Sequence, residues 1–233
     1  MPEGATEGTG PVLFSKRLSI SDTHVRSGME LNVVVGDVRV SIRQTTYEQD
    51  ETKPLLLLEA NCERTPPASV RDWLPASIES KRLDAPPDDI YEYTGPLMGE
   101  LSTACNRTFE LLRWRTASDT PHNPYASLGD FFSDDGGTTW HRMGFRGSAV
   151  GWQIFGLPLN DKTQAELQDL LRNPDLREPI GHVLYREARD SRLKNPRSAV
   201  VVGVAALETA IKGTIAGGTA LSRPDTDPTE VSE

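Results

Sequence analysis

The segment Pro196–Ala216 constrains the fold more than any other part of this chain. Drawn as a helix, it presents apolar or small residues on nearly every side, and Pro196 suits the first turn of such a helix. A helix that is apolar all round must be buried all round. Its larger apolar residues are Val200, Val201, Val202, Val204, Leu207, Ile211 and Ile215.

Few other segments can cover this helix. The predicted helices at 162–172 and 182–194 are too few to enclose it, and the stretch 217–233 is polar and is predicted to be disordered. The β-rich region that precedes them, or a second copy of the chain, has to supply the rest. We expect a two-fold homodimer through this helix, because self-complementary patches most often close as pairs.

The charge balance limits the partners of the chain. The 233 residues carry 25 Lys and Arg against 34 Asp and Glu, a formal net charge of −9. No global field therefore attracts nucleic acid or an anionic membrane. The region Arg177–Arg197 offers a local basic patch for RNA or a nucleotide, whereas no DNA-reading signature is present and no DNA partner is expected.

Cysteine usage and apolar run lengths predict a cytoplasmic protein. Cys62 and Cys105 lack CxxC spacing, which favours a reducing compartment and disfavours a zinc site. Residues 1–11 resemble no signal peptide and are predicted to be disordered. The longest apolar stretch, Ala199–Leu207, is shorter than the roughly 20 residues that span a bilayer. No phosphate-cradling loop and no metal-ligand spacing is present, so neither a cofactor nor a metal is expected.

Residue patterning predicts an α+β fold with a β-rich domain over 12–156 and a helical segment over 160–216. Met29–Val35 and Val38–Thr45 are β-branched runs joined by Gly36-Asp37, as in a hairpin. Leu55–Ala60 suits a central strand, and Gly95–Thr116 carries the apolar spacing of an amphipathic helix. Shorter elements are predicted as a helix near 70–74, strands near 131–132, 140–143 and 151–155, and a helix over 162–172 with Asn160 or Asp161 as its N-cap.

The run Ser133–Trp140 matches Ser-x-Asp-x-Gly-x-Thr-Trp at every fixed position. It resembles the Asp-box, a hairpin in sialidases and other β-proteins whose Asp side chain holds the turn backbone. Gly136 and Gly137 allow positive φ, and Asp135 can accept backbone N–H bonds. The motif predicts a local turn, and it leaves open a carbohydrate site at Trp140 and Trp152.

The last two predicted helices carry a phrase of their own. Glu187-Ala188-Arg189-Asp190, Asn195–Val200 and Ala205–Glu208 follow one another in this order. The phrase resembles one found in uncharacterised bacterial proteins of the HEPN-like superfamily. That resemblance implies an all-α module associated with nucleotide binding and RNA cleavage, in proteins of stress response or phage defence.

Catalytic members of that superfamily use an Arg followed four to six residues later by a His. The Arg stabilises charge on the scissile phosphate and the His transfers protons. No His follows Ala216, and the looser pair Arg177 and His182 lies before the apolar helix. This pair is the alternative catalytic site, whereas no catalytic residue is expected in the main interpretation.

Ligand contacts, if the helices make them, are predicted at four residues. Glu208 is a carboxylate on an apolar helix, and such a group needs a partner. Lys212, one turn along, would supply an ion pair, and so would an Arg of the preceding helix. The candidate set is Arg189, Arg192, Glu208 and Lys212.

Three functions are therefore distinguished. The first is a non-catalytic interaction or sensing module that dimerises through its helices. The second is a metal-independent endoribonuclease that uses Arg177 and His182 and is completed by a second protomer. The third is a carbohydrate-binding protein.

Overall fold

The computed structural model describes residues 10–22, 30–47, 50–79, 86–116, 126–143, 153–154, 160–192 and 194–221. The chain divides into two compact units, Met1–Leu176 and Arg177–Glu233. The first unit contains a β-sheet with helices, and the second contains two helices. The α+β class that the sequence predicts is therefore confirmed.

The first unit is built on one antiparallel sheet. Its strands are β1 (Val12–Asp22), β2 (Glu30–Val35), β3 (Val38–Tyr47), β4 (Asp50–Arg64), β5 (Ala126–Ser133), β6 (His141–Arg142) and β7 (Gln153–Ile154). Its helices are α1 (Ala68–Glu79), α2 (Asp88–Arg115) and α3 (Asp161–Arg172). The strand order is β2-β3-β4-β1-β5-β6, and β7 pairs in parallel with the end of β1.

One face of this sheet forms the core. Alternation along β1 points Phe14, Leu18 and Ile20 to the same side, and all three are buried. Each faces a buried residue of β4 across the strands, so the pairing register is fixed by burial as well as by hydrogen bonds. Helix α2 contributes the opposing apolar surface, with Leu97, Leu101, Ala104, Cys105, Phe109 and Leu112 buried in the same cluster.

Helix α3 covers the free edge of the sheet at β2. Its N-cap is Asn160, whose side chain accepts a bond from the Thr163 amide. The Gln168 side chain accepts from the Val34 amide at 2.8 Å and donates to the Val34 carbonyl at 3.1 Å. Gln164 accepts from the Asn32 amide at 2.9 Å. Side-chain amides thus occupy the backbone groups that a further strand would otherwise pair with.

The second unit is a pair of packed helices, α4 (Ile180–Ser191) and α5 (Pro196–Leu221). Small residues allow the two backbones to approach closely. A Cβ at Gly181 would lie 3.1 Å from the Ala206 carbonyl oxygen. A Cβ at Gly203 would lie 3.7 Å from the Cβ of Ala188. Only a glycine at position 181 fits this spacing without a shift of backbone.

Several element ends differ from the sequence-based expectation. Helix α2 begins at Asp88, seven residues before the predicted start, because Pro87 and two first-turn aspartates form its N-terminus and Pro96 is accommodated inside. Helix α4 begins at Ile180, directly after Pro179. Helix α5 continues to Leu221 through residues that were expected to be disordered, since each residue added to an existing helix gains a hydrogen bond.

The boundary between the units also differs from the expected one. Composition places it between 156 and 160, whereas α3 belongs to the first unit and the division falls after Leu176. The cause is tertiary: Leu167 and Leu171 of α3 are buried in the core of the sheet unit. The predicted disorder of 1–9 and of 222–233 lies outside the described residues, as does most of the strand expected at 151–155.

Candidate functional site

The outer face of α5 is exposed, although the sequence predicts that this helix is buried all round. Its Ala206 is buried, and most of its large apolar side chains are at least half exposed. We call these side chains the α5 stripe: Val200, Val201, Val204, Leu207, Ile211 and Ile215, with exposed fractions between 50% and 69%. A helix with one covered and one bare apolar face has room for a further partner.

The same helix has the length and composition of a membrane span. Among the described residues, Pro196–Ile215 is one 20-residue segment long and apolar enough to cross a membrane, with mean hydropathy 1.5 and almost none of it buried. The expectation that no apolar segment reaches the length of a bilayer is therefore wrong. Small and apolar residues on both sides of Ala199–Leu207 extend the apolar helix to 20 residues.

Glu208 and Lys212 form an ion pair at the border of the α5 stripe. The Lys212 Nζ lies 2.8 Å from Glu208 Oε1, and both side chains are more than half exposed. The pairing at i and i+4 is the one that the sequence predicts. Because the pair is open to water, its contribution to stability is small.

The other two predicted ligand residues lie in α4 and at its C-terminal end. The Arg189 guanidinium lies 6.0 Å from the Tyr185 ring centroid. Arg192 is the exposed C-cap of α4, where its charge complements the helix dipole. Glu208 thus pairs with Lys212, and Arg189 contacts Tyr185 of its own helix.

His182 lies in a buried ionic cluster with Glu178 and Arg186. The His182 Nδ1 contacts Glu178 Oε1, and Arg186 Nη2 donates to Glu178 Oε2. The Arg186 Nη1 lies 3.1 Å from His182 Nδ1. The Glu178 side chain is fully buried, and that of His182 is 26% exposed. Arg177, the predicted catalytic partner of His182, is exposed just before α4.

The cluster is chemically self-contained. A guanidinium can only donate hydrogen bonds, and the carboxylate oxygens of Glu178 accept from Arg186, so Glu178 orients the Arg186 side chain. The guanidinium of Arg186 is directed at Glu178, which neutralises it. A phosphate would have to compete with that carboxylate, so the arrangement stabilises α4 better than it would stabilise a transition state.

Glu178 and Arg186 were not singled out from the sequence. The signal that could have found them is their spacing: Glu178, His182 and Arg186 follow one another at intervals of four residues. That spacing places all three on one side of a helical path. The superfamily motif has the reverse order, with the Arg before the His.

The Ser133–Trp140 run forms the predicted turn between β5 and β6. Asp135 Oδ1 accepts from the Thr139 amide at 2.9 Å and from the Ser133 hydroxyl at 2.7 Å. These two bonds hold the pKa of Asp135 well below its usual range, and the bond from the Thr139 amide has the larger effect. Gly136 and Gly137 have φ of 76° and 91°. Trp140 is partly covered by Arg17, and Trp152 lies outside the described residues.

Within the part of the chain that the structure describes, no group of three or more His, Cys, Asp or Glu side chains could hold a metal ion. Both cysteines are buried free thiols. Burial raises the pKa of Cys62 to about 11 and that of Cys105 to about 12. These thiols are therefore poor nucleophiles in the folded protein.

Comparison with known proteins gives no family for the chain: no family model matches it, and neither a curated protein nor a solved structure does.

Proposed function

We propose that this protein is a non-catalytic interaction module, HEPN-like in its last two helices, that works as a homodimer joined through the α5 stripe. The observation that carries the proposal is the exposed apolar face of α5. The six side chains of the stripe expose on the order of 600 Å², at the upper end for the largest patch on a monomeric protein. A standard interface buries about 800 Å² per partner, so two stripes supply most of one.

The spacing of the stripe supports a second helix as its occupant. Val200, Val204, Leu207 and Ile211 recur at intervals of four, three and four residues. This is the heptad interval at which two α-helices pack side by side. Identical helices from two copies provide the same stripe on both sides, as a two-fold interface requires.

The flanking charges favour a protein partner over lipid. Glu208 and Lys212 are both exposed beside the stripe. In a bilayer each would face hydrocarbon, at a cost of about 2.5–3.5 kcal/mol for a charge at the centre of the membrane. At the rim of a dimer the pair stays in water, as polar rims of interfaces do.

Light scattering after gel filtration of the full chain tests the dimer. At micromolar concentration we expect twice the monomer mass of 25.6 kDa. Leu207→Glu and Val201→Glu each bring a charge into the apolar contact, and we expect both to give monomers. Tyr91→Glu is the matched control, since Tyr91 is an exposed aromatic on α2, 60% accessible, and belongs to the other unit of the chain.

Single cysteines on the stripe locate the two-fold axis. The buried native thiols of Cys62 and Cys105 leave an introduced surface cysteine as the reactive one. In an isologous dimer only residues near the axis meet their own copies. We expect oxidation of Val200→Cys, Val204→Cys, Leu207→Cys and Ile211→Cys to cross-link one or two neighbouring positions if the helices are antiparallel, and all four if they are parallel.

Two results would replace this proposal. A wild-type chain that stays monomeric in water and floats with liposomes in a flotation assay would make α5 a membrane helix. Metal-independent cleavage of single-stranded RNA that is lost in His182→Ala would establish a ribonuclease. A monomer that neither floats nor cleaves RNA would also contradict the dimer.

A further inference from the structure

The face of the sheet opposite the core carries an unusual concentration of arginine. The alternation of the strands and their register put Arg17, Arg39, Arg43 and Arg142 on this face. Glu59 lies near its centre, directly across from Arg17, and Glu30 and Glu63 lie towards its ends. The chain as a whole has a net charge of −9, whereas this face of the sheet carries four arginines.

Arg17 and Glu59 form the fixed part of this surface. Arg17 Nε donates to Glu59 Oε1 at 2.7 Å, and the Ser15 hydroxyl donates to the same oxygen at 3.1 Å. The Arg17 guanidinium carbon lies 4.5 Å from the Phe131 ring centroid and 4.8 Å from that of Trp140. Two aromatic rings and a carboxylate therefore hold the plane of this guanidinium in one orientation.

The backbone of β5 is distorted beside Arg17. The register of β1 against β5 shifts between Arg17 and Leu18, and Gly129, which pairs with Arg17, has φ of 127°. A Cβ at Gly129 would lie 2.8 Å from Arg142 Nε. The absence of a side chain at 129 is what lets Arg142 lie across the strand, next to the position of Arg17. Bulges of this kind often re-aim side chains next to binding sites.

The Arg142 side chain therefore lies beside Gly129, the residue of β5 that pairs with Arg17. Like charges that lie close together repel each other unless an anion offsets them. Glu59 provides one negative charge, and it is already bonded to Arg17 and lies 3.7 Å from Arg43 Nη2. Among the described residues Arg142 has no acidic partner within ion-pair distance. The pair Arg17 and Arg142 therefore carries a positive charge that Glu59 does not neutralise.

We propose that Arg17 and Arg142 bind a small ligand through an oxyanion, either a phosphate or a carboxylate group. A guanidinium presents paired N–H donors that match both groups. Phe131 and Trp140 keep Arg17 pre-oriented, which reduces the entropy lost on binding. All the residues of this Arg17–Arg142 site belong to the sheet unit, so the site does not depend on the dimer proposed for α5.

Calorimetric titration of the full chain at low salt tests the site, with pyrophosphate, inorganic phosphate and citrate as probes. We expect saturable binding of at least one probe, weakened by added NaCl because exposed charges are screened. Arg142→Gln should weaken that binding about tenfold, the scale of a lost charge-assisted hydrogen bond. Arg39→Gln is the matched control, because Arg39 is an exposed arginine of the same face that lies on β3, on the other side of β1 from Arg142. It should change affinity less than about twofold.

The outcomes separate the sources of the oxyanion and decide the proposal. Preference for pyrophosphate assigns the site to phosphate-bearing ligands, and preference for citrate assigns it to carboxylates. Equal weakening by Arg142→Gln and Arg39→Gln would show non-specific attraction and overturn the site. So would the absence of saturable binding of all three probes at concentrations up to about 10 mM. Arg142 is exposed and makes no bond to Glu59, so its variant tests the site in a folded protein even if Arg17→Gln does not fold.

Discussion

Single side chains fix the conformation of the β5–β6 turn, and Asp135 is the central one. Hydrogen bonds from the Thr139 amide and the Ser133 hydroxyl depress the pKa of Asp135 in the folded state. The folded protein therefore binds this proton more weakly than the unfolded chain does. The resulting stabilisation is present above the unfolded value of 3.8 and is lost as the pH falls towards the folded pKa.

The expected consequence is a pH-dependent loss in Asp135→Ala. Its urea midpoint should lie below that of the wild type at about pH 7, and the difference should shrink at about pH 3. Asp134→Ala is the matched control, because Asp134 is the exposed neighbour in the same turn. Equal midpoints of wild type and Asp135→Ala at neutral pH would show that these bonds do not hold the turn.

Glu178 stabilises α4 by neutralising Arg186. Both side chains are buried, so removal of the carboxylate leaves a guanidinium without its counter-charge. We expect Glu178→Ala to lower the opening free energy of α4 by about 3–5 kcal/mol, the cost of breaking a buried pair. Hydrogen exchange of the α4 amides measures it, with the exposed Glu187→Gln as control. Unchanged protection in Glu178→Ala would assign the stability of α4 to its apolar packing alone.

At the scale of elements, the edge of the sheet depends on Gln168. Its side-chain amide makes two hydrogen bonds to Val34, as a peptide group of a neighbouring strand would. Gln168→Ala should therefore cost about 1–2 kcal/mol and should raise aggregation, because it bares an edge strand. Asp169→Ala changes the next residue, which makes an exposed ion pair with Arg172. If Gln168→Ala and Asp169→Ala have the same stability and the same tendency to aggregate, α3 does not protect the β2 edge of the sheet.

Elements that rest on neighbouring residues could be predicted from the sequence. The β2–β3 hairpin follows from Gly36-Asp37 between β-branched runs, the α3 start from the Asn160 cap, and the β5–β6 turn from its motif. Each of these signals acts within a few residues. What the sequence could not provide were contacts set by tertiary structure, such as Gln168 with Val34 or Arg142 across Gly129.

The candidate sites followed the same division. The Glu208–Lys212 pair was predictable, because both residues lie on one helix at a spacing of four. The burial of α5 could not be predicted. Composition shows that a helix has apolar sides, but it does not show which side the fold covers. The side chains of the α5 stripe are exposed to solvent, whereas Ala206 on the same helix is buried.

At the scale of the whole molecule, α3 decides where the first unit ends. It supplies Leu167 and Leu171 to the core and two glutamines to the edge of β2. The unit that contains it ends at Leu176, which packs against the same core. A fragment of the chain should therefore fold only if α3 is included, even though composition would divide the chain before it.

We expect a fragment ending at Leu176 to unfold cooperatively, and one ending at residue 159 to be insoluble or unfolded. Loss of the two buried leucines alone removes about 4 kcal/mol or more, a large part of the 5–15 kcal/mol that stabilises a typical domain. Circular dichroism during urea titration of both fragments measures the difference. A cooperative transition in the shorter fragment at the same midpoint would show that α3 is an appendage, and would restore the boundary that composition indicates.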